Sequence, residues 1–353
     1  MLTEKQIKEI KKHLDKAQNP LFFFDNDQDG LCSFLLLQRS IGRGKGFPIK
    51  STPLDKNYMR KVTELNPDYI FVLDVPTISK EFFEEIEKIN LPIVWIDHHD
   101  HSKKELNEIP DFVNYYNPFA EKSVDKIDSS TTYLCYEATK RKEDLWLVVV
   151  GSVSDKFVPP VYEDFKKAYP DLSIESDDAF EIFYEAAIGT IAQIFGNGLK
   201  DRTTNVIKMI KFLMKVKTPY EVLEETPKNA EMHERFKFIN KKFKKFLAKA
   251  QEEANASDKL VFFEYGGDTS MSSEISNGLR YLFPGKTVFV AYITEGFVNI
   301  SGRGDNVKKY LDKILKDLDN AKGGGHEKAV GARIMRPDLD KFKERMTELV
   351  NKG

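Results

Sequence analysis

Cysteine is scarce in this chain, with two among 353 residues. Cys32 and Cys135 both stand in apolar surroundings without CxxC spacing, which excludes a disulfide framework or zinc knuckle and fits buried thiols in a reducing compartment. Long hydrophobic runs are missing too. No stretch approaches the roughly 18 apolar residues of a membrane span, and residues 1–16 read as an amphipathic charged helix, not a signal peptide. A soluble, cytoplasmic protein without a membrane partner is expected. Charge of one sign is also lacking: 54 Lys plus Arg stand against 56 Asp plus Glu, a net of -2. Bulk charge therefore decides nothing about a polyanionic partner, and any phosphate-binding surface must be a local patch. Repeats and low-complexity tracts are absent. The length is enough for two domains, each with its own core.

What is present is a rhythm. Between residues 20 and 155, apolar runs LFFFD (21–25), YIFVLDV (69–75), PIVWIDHH (92–99) and LWLVVVGSVSD (145–155) alternate with polar helical stretches. Apolar runs without period-two alternation read as strands buried on both faces of a parallel sheet. Residues 160–256 lose that pattern and become helical and charged. A Lys-rich segment, 235–246, fits either an amphipathic helix packing Phe236, Phe238, Phe243 and Phe246 or a basic helix tracking a nucleic-acid backbone; the first reading is preferred. From residue 259 a second αβ pattern follows: LVFFEY, a helix from Ser273 to Leu282, strands TVFVAYI and FVNISGR, then a helix before GGGH. The expected organisation is an α/β N-terminal parallel-sheet domain (1–200), a helical linker (201–257) and a smaller C-terminal α/β domain (258–353).

The chemistry lies in the acids. Asp25, Asp74, Asp97 and Asp155 each close a different apolar run, at the edge where open parallel sheets bind ligands. Asp25, Asp27 and Asp29 leave a buried run at alternate positions and repel one another, so they require a countercharge. A divalent cation supplies it, and hard oxygen donors suit Mg2+ or Mn2+. Helix capping would explain an isolated DxDG, and a calcium loop fails because its twelfth position is Leu36. Four uncompensated acids beside buried strands would each cost several kcal/mol; one metal cluster accounts for all four. The adjacent His98 and His99 fit the same site, one binding metal while the other meets a phosphate or a metal-bound water. His101 is expected at the surface or behind the ligands.

In this order the motifs DxDxDG at Asp25, an isolated Asp74, DHH at Asp97-His98-His99 and GxxxD from Gly151 to Asp155 resemble the DHH phosphoesterase superfamily. The C-terminal Gly323-Gly324-Gly325-His326, followed by Ala329 and Gly331, is similar to that family's substrate-binding domain. The resemblance implies one metal held by Asp25, Asp27 and Asp74 and a second held by Asp29, Asp74, His98 and Asp155, with Asp97 behind them. It implies two divalent cations, Mn2+ or Mg2+, and hydrolysis without a covalent enzyme intermediate, with His99 on the scissile phosphate. Where pyrophosphatases and nanoRNA-type phosphodiesterases show HxxxDxD, this chain has Phe23 and Asp25, and its DxDxDG looks like the RecJ-type exonucleases. Three glycines let backbone N–H groups approach an anion. On GGG alone a flexible turn or helix C-cap is the ordinary reading; the resemblance turns it into a phosphate cradle, with His326 and Arg303 as phosphate or sugar contacts.

The leading expectation is a RecJ-like exonuclease releasing mononucleotides from single-stranded DNA or RNA. A nanoRNase or cyclic-dinucleotide phosphodiesterase acting on short oligonucleotides is the second. A catalytically weak scaffold for replication or repair proteins is the third.

Overall fold

The computed structural model describes residues 1–50, 52–119, 129–256 and 258–352, with the His326 side chain also outside the description. The chain falls into two compact units, 1–236 and 237–353, so the expected linker residues are shared between them.

The first unit runs α1 (Glu4–Lys16), β1 (Pro20–Asp25), α2 (Gln28–Ile41), β2 (Lys45–Ile49), α3 (Met59–Leu65), β3 (Tyr69–Leu73), α4 (Lys80–Lys88), β4 (Ile93–Ile96), α5 (Lys103–Asn107), β5 (Val113–Tyr116), α6 (Thr131–Thr139) and α7 (Leu145–Ser154). Helices α8 (Tyr162–Ala168), α9 (Ala179–Glu185), α10 (Ala187–Leu199), α11 (Thr203–Leu213) and α12 (Tyr220–Leu223) follow, and α13 (Ala230–Asn255) runs across the division between units. The strands form a parallel sheet in the order β2-β1-β3-β4-β5. Successive strand side chains point to opposite faces. Phe22, Phe24, Phe71, Leu73, Val94 and Ile96 therefore enter one core with α1, α2, α6 and α7. Leu21, Phe23, Ile70, Val72, Ile93 and Trp95 enter the other, with α3 and α4. Burial on both faces is what the unbroken apolar runs required.

One of those runs is not a strand. LWLVVVGSVSD is helix α7, with Asp155 as its C-cap. Residues Leu145 to Val153 are all buried, because α7 is enclosed by α2, α6 and α10. A helix covered on every side has no polar stripe, so periodicity does not separate it from a central strand. Conversely, β2 and β5 were not expected. Both are short edge strands, and Pro48 in β2 fits an edge because it donates no ladder hydrogen bond.

The second unit contains β6 (Leu260–Gly266), α14 (Ser272–Leu282), β7 (Thr287–Ile293), β8 (Phe297–Arg303), α15 (Val307–Leu315), β9 (Lys322–His326), β10 (Ala329–Met335) and α16 (Leu339–Lys352). Its sheet order is β6-β7-β8-β10-β9, with β6 parallel to β7 and the other pairs antiparallel. The glycine run is thus edge strand β9, with Gly324 opposite Gly331, where a turn or helix C-cap was the ordinary reading.

Candidate metal centre

Sheet topology delivers three of the acids to one edge. Asp25 is the last residue of β1, and Asp74 and Asp97 directly follow β3 and β4. Asp27 caps α2, accepting from the Gly30 N–H at 2.9 Å. Gly30 is required where α2 passes over the end of β1, because a Cβ there would sit 2.5 Å from the Asp25 carbonyl oxygen. Asp29, in the first turn of α2, is 1% exposed. Its two oxygens accept from the first backbone amides of α6, Thr131 at 2.9 Å and Thr132 at 2.7 Å, so a helix N-terminus stabilises its charge.

Asp74 has φ of 61°, in the left-handed region that a non-glycine residue seldom adopts. Its amide still donates to the Ile96 carbonyl at 3.0 Å, and its carboxylate accepts from Thr131 Oγ1 at 3.0 Å. Such backbone strain concentrates at functional positions. His98 Nε2 joins the pieces: it lies 3.4 Å from Asp74 Oδ1, 3.3 Å from Asp155 Oδ2 and 4.0 Å from Asp29 Oδ2. Asp155 reaches this point from the end of α7. Gly151 lets α7 come that close, since a Cβ there would meet Thr132 Oγ1 at 2.1 Å.

Asp97 faces away from this cluster and serves its neighbours. It is fully buried, with His99 Nδ1 2.8 Å from one oxygen and His101 Nε2 2.9 Å from the other. Asn117 Nδ2 donates to it at 3.2 Å and to the His99 carbonyl at 2.9 Å. Burial alone would raise the Asp97 pKa, but the hydrogen bonds from His101 and His99 outweigh it and hold the carboxyl below its ordinary range. Reciprocally, burial would lower His99, and its bond to Asp97 instead lifts it to about 9.

The clustered acids shift the other way. Asp25 is pushed up to about 7 by burial and then by Asp27; Asp29 rises to about 7 by burial and then by Asp155. Asp74 rises well above the ordinary range through burial and then Asp29. Protein groups therefore leave this negative charge undercompensated, which is the condition a divalent cation relieves.

Donor atoms of Asp29, His98 and Asp155 lie within 4.8 Å of one another, as do those of Asp74, His98 and His99. Two further buried atoms, Asn26 Oδ1 and His98 Nδ1, have no hydrogen-bond partner among the described residues. Carboxylates with imidazole suit Mn2+ and also accept Mg2+, so the residues present fit a divalent metal. Of the expected ligands, Asp29, Asp74, His98 and Asp155 converge directly. Asp25 and Asp27 stand at the neighbouring strand end, close enough to repel the cluster. His99 reaches it too, a placement expected for phosphate contact and equally open to a metal. His101 lies behind Asp97. The Thr131 and Thr132 amides and Asn117 were missed; Ser129-Ser130-Thr131-Thr132 is a helix-start signal, but nothing in its spacing points back to Asp29.

In the second unit, Arg303 Nε donates to Asn277 Oδ1 at 2.6 Å and its Nη2 to Ser273 Oγ at 2.9 Å, which braces the guanidinium against α14. Gly323, Gly324 and Gly325 lie in β9, and the His326 side chain is outside the described residues.

A doubly covered parallel sheet with carboxylates and imidazoles gathered at its carboxyl edge defines the class: an α/β protein whose clustered side chains fit a divalent metal. Residues 21–151 match the DHH family, N-terminal domain, and the chain has a RecJ-like fold. It is similar to RecJ in complex with Mn2+ from Thermus thermophilus, with TM-score 0.71 and 16% identity over 100% of this chain and 56% of that one. The chain thus spans little more than half the length of that relative. It is also similar to a manganese-bound exonuclease RecJ (TM-score 0.66, 16% identity, 100% and 96% of the two chains) and to CDC45 from Entamoeba histolytica (TM-score 0.52, 10% identity, 98% and 99%). No curated protein matches it by sequence. Among the described residues no helix is long and apolar enough to cross a membrane.

Proposed function

We propose that the protein is a metal-dependent phosphodiester hydrolase, an exonuclease that removes mononucleotides from single-stranded DNA or RNA. The observation that carries the reading is the meeting of Asp29, Asp74, His98 and Asp155 around one point, from α2, β3, β4 and α7. Asp29, Asp74, His98 and Asp155 would hold one divalent ion, and Asp25 and Asp27 with Asp74 the other. When bound, such ions stabilise charge developing on phosphoryl oxygens and activate water. The chain's own residues orient the substrate. Asp97 keeps a proton on His99 Nδ1 and fixes the ring, leaving its other nitrogen to donate to a phosphoryl oxygen. The α6 amides hold Asp29 in place. Arg303 and the β9 glycines would contact phosphate or sugar.

Substituting Asp74→Ala should abolish Mn2+-dependent hydrolysis of end-labelled single strands while leaving the circular dichroism spectrum unchanged; undiminished hydrolysis would refute the proposal. The same assay on strands of graded length separates an exonuclease from an enzyme restricted to dinucleotides. Digestion that stalls on every strand longer than a few nucleotides would favour the latter.

A further inference from the structure

Helix α13 carries a second feature that a small hydrolytic site does not use. From Arg235 to Gln251 its sequence contains six lysines and no acid. One face is apolar: Ile239 and Ala250 are buried, and Phe243, Phe246 and Leu247 pack against the same core under β6 and β7. On the opposite side Lys241, Lys244, Lys245 and Lys249 are exposed, and none of these four is ion-paired among the described residues. Lys237, Lys241, Lys245 and Lys249 recur at intervals of four, so their Cα atoms rise about 6 Å per step along roughly 18 Å of helix. Like charges at such spacing repel and weaken an isolated helix. Phe238 does not join the packed face as the other phenylalanines do. It is 46% exposed, with Lys242 Nζ 4.3 Å from its ring centroid.

A row of cations beside an exposed aromatic ring is the combination that tracks a phosphate backbone and stacks a base. We infer that this face of α13 is a binding track for single-stranded nucleic acid, separate from the metal centre in its residues, which holds strands longer than the few nucleotides a hydrolytic site engages. The choice of nucleic acid over another polyanion rests on the hydrolase reading above; the charge row itself does not. A membrane surface is the poorer match, because among the described residues Phe238 is the sole large apolar side chain exposed on the helix.

The test uses the full chain. With EDTA present to prevent cleavage, fluorescence anisotropy compares short (about 4-nucleotide) and long (about 20-nucleotide) labelled oligothymidylates across a salt series. Wild-type protein should bind the long strand more tightly. The K241Q/K244Q/K245Q/K249Q variant should lose at least about tenfold in affinity for it, and the slope of log affinity against log salt should fall by about 3. Phe238→Ala should weaken long-strand binding about tenfold, and single K245Q should lower the slope by about 0.7, which keeps the test open if the quadruple variant folds poorly. Unchanged affinity and slope in the quadruple and single variants would overturn the inference. So would wild-type binding to anionic lipid vesicles with no binding to the strand. Hydrolysis of the short strand with Mn2+ is scored separately. Strand binding that depends on the lysines in a protein that hydrolyses nothing leaves the track standing and removes the hydrolase; hydrolysis with unaltered salt slopes does the reverse.

Discussion

At the scale of single residues, Asp97 shows how a buried carboxylate can matter without touching the cluster. Its oxygens engage His99, His101 and Asn117, so Asp97→Asn keeps the shape and removes the charge that holds the His99 proton. Loss of such supporting bonds commonly costs about 10–100-fold in activity or metal affinity. We predict a fall of that size in kcat, measured on single strands with Mn2+; an unaltered kcat would rule out the orienting role. Gly151 acts through packing. Gly151→Ala drives a Cβ into Thr132, whose amide holds Asp29, and overpacking of this kind costs about 1–3 kcal/mol. Urea denaturation should show that loss, together with weaker Mn2+ binding by calorimetry. Equal Mn2+ affinity in the variant would sever the proposed link from α7 through Thr132 to Asp29.

Among the elements, the strands at the centre of the first sheet were legible because burial on both faces leaves a continuous apolar run ending in an acid: β1, β3 and β4 all read this way. The same logic misassigned α7, whose environment is as apolar as a central strand's. Asp155 still comes to lie beside His98, since the end of a buried element presents an acid at the sheet edge whether that element is helix or strand. Edge strands β2 and β5 escaped because half-exposed four- and five-residue segments carry little pattern. The Asp29 contacts to α6 were invisible for another reason. Backbone amides donate whatever the residue type, so no side-chain signal marks them. One further element contact is a strong stability determinant. Arg39 of α2 forms a buried pair with Asp144, Nη2 to Oδ1 2.7 Å, and its Nη1 donates to the Leu213 carbonyl at 3.0 Å. Asp144→Ala would strand that guanidinium, and breaking such a pair costs about 3–5 kcal/mol; a shift in the denaturation midpoint corresponding to less than about 1 kcal/mol would contradict this account.

For the whole molecule, the raised carboxyls tie stability to both pH and metal. In metal-free protein Asp25 and Asp29 hold protons up to about pH 7, while in the unfolded chain they release them near pH 4. The folded state thus binds more protons in that interval, and their contribution to stability declines as pH rises from about 4 to about 7. A bound cation favours the ionised form and opposes that decline. Melting curves in EDTA and in Mn2+ should therefore diverge progressively between about pH 5 and pH 8; parallel curves would show that these acids do not share a cation. Because each unit has its own cores, Mn2+ should increase amide-exchange protection around β1, β3 and α6 and leave β7 and β8 unaffected.

The left-handed backbone at Asp74 has a consequence for how this sequence can vary. Asparagine tolerates that conformation well and would bring no charge into a crowd of anions. Asp74→Asn should therefore raise the melting temperature of metal-free protein and weaken the proposed metal centre. Under selection for thermal robustness alone an aspartate has no advantage at this position, so its retention in a lineage would record a demand for its charge, not for folding.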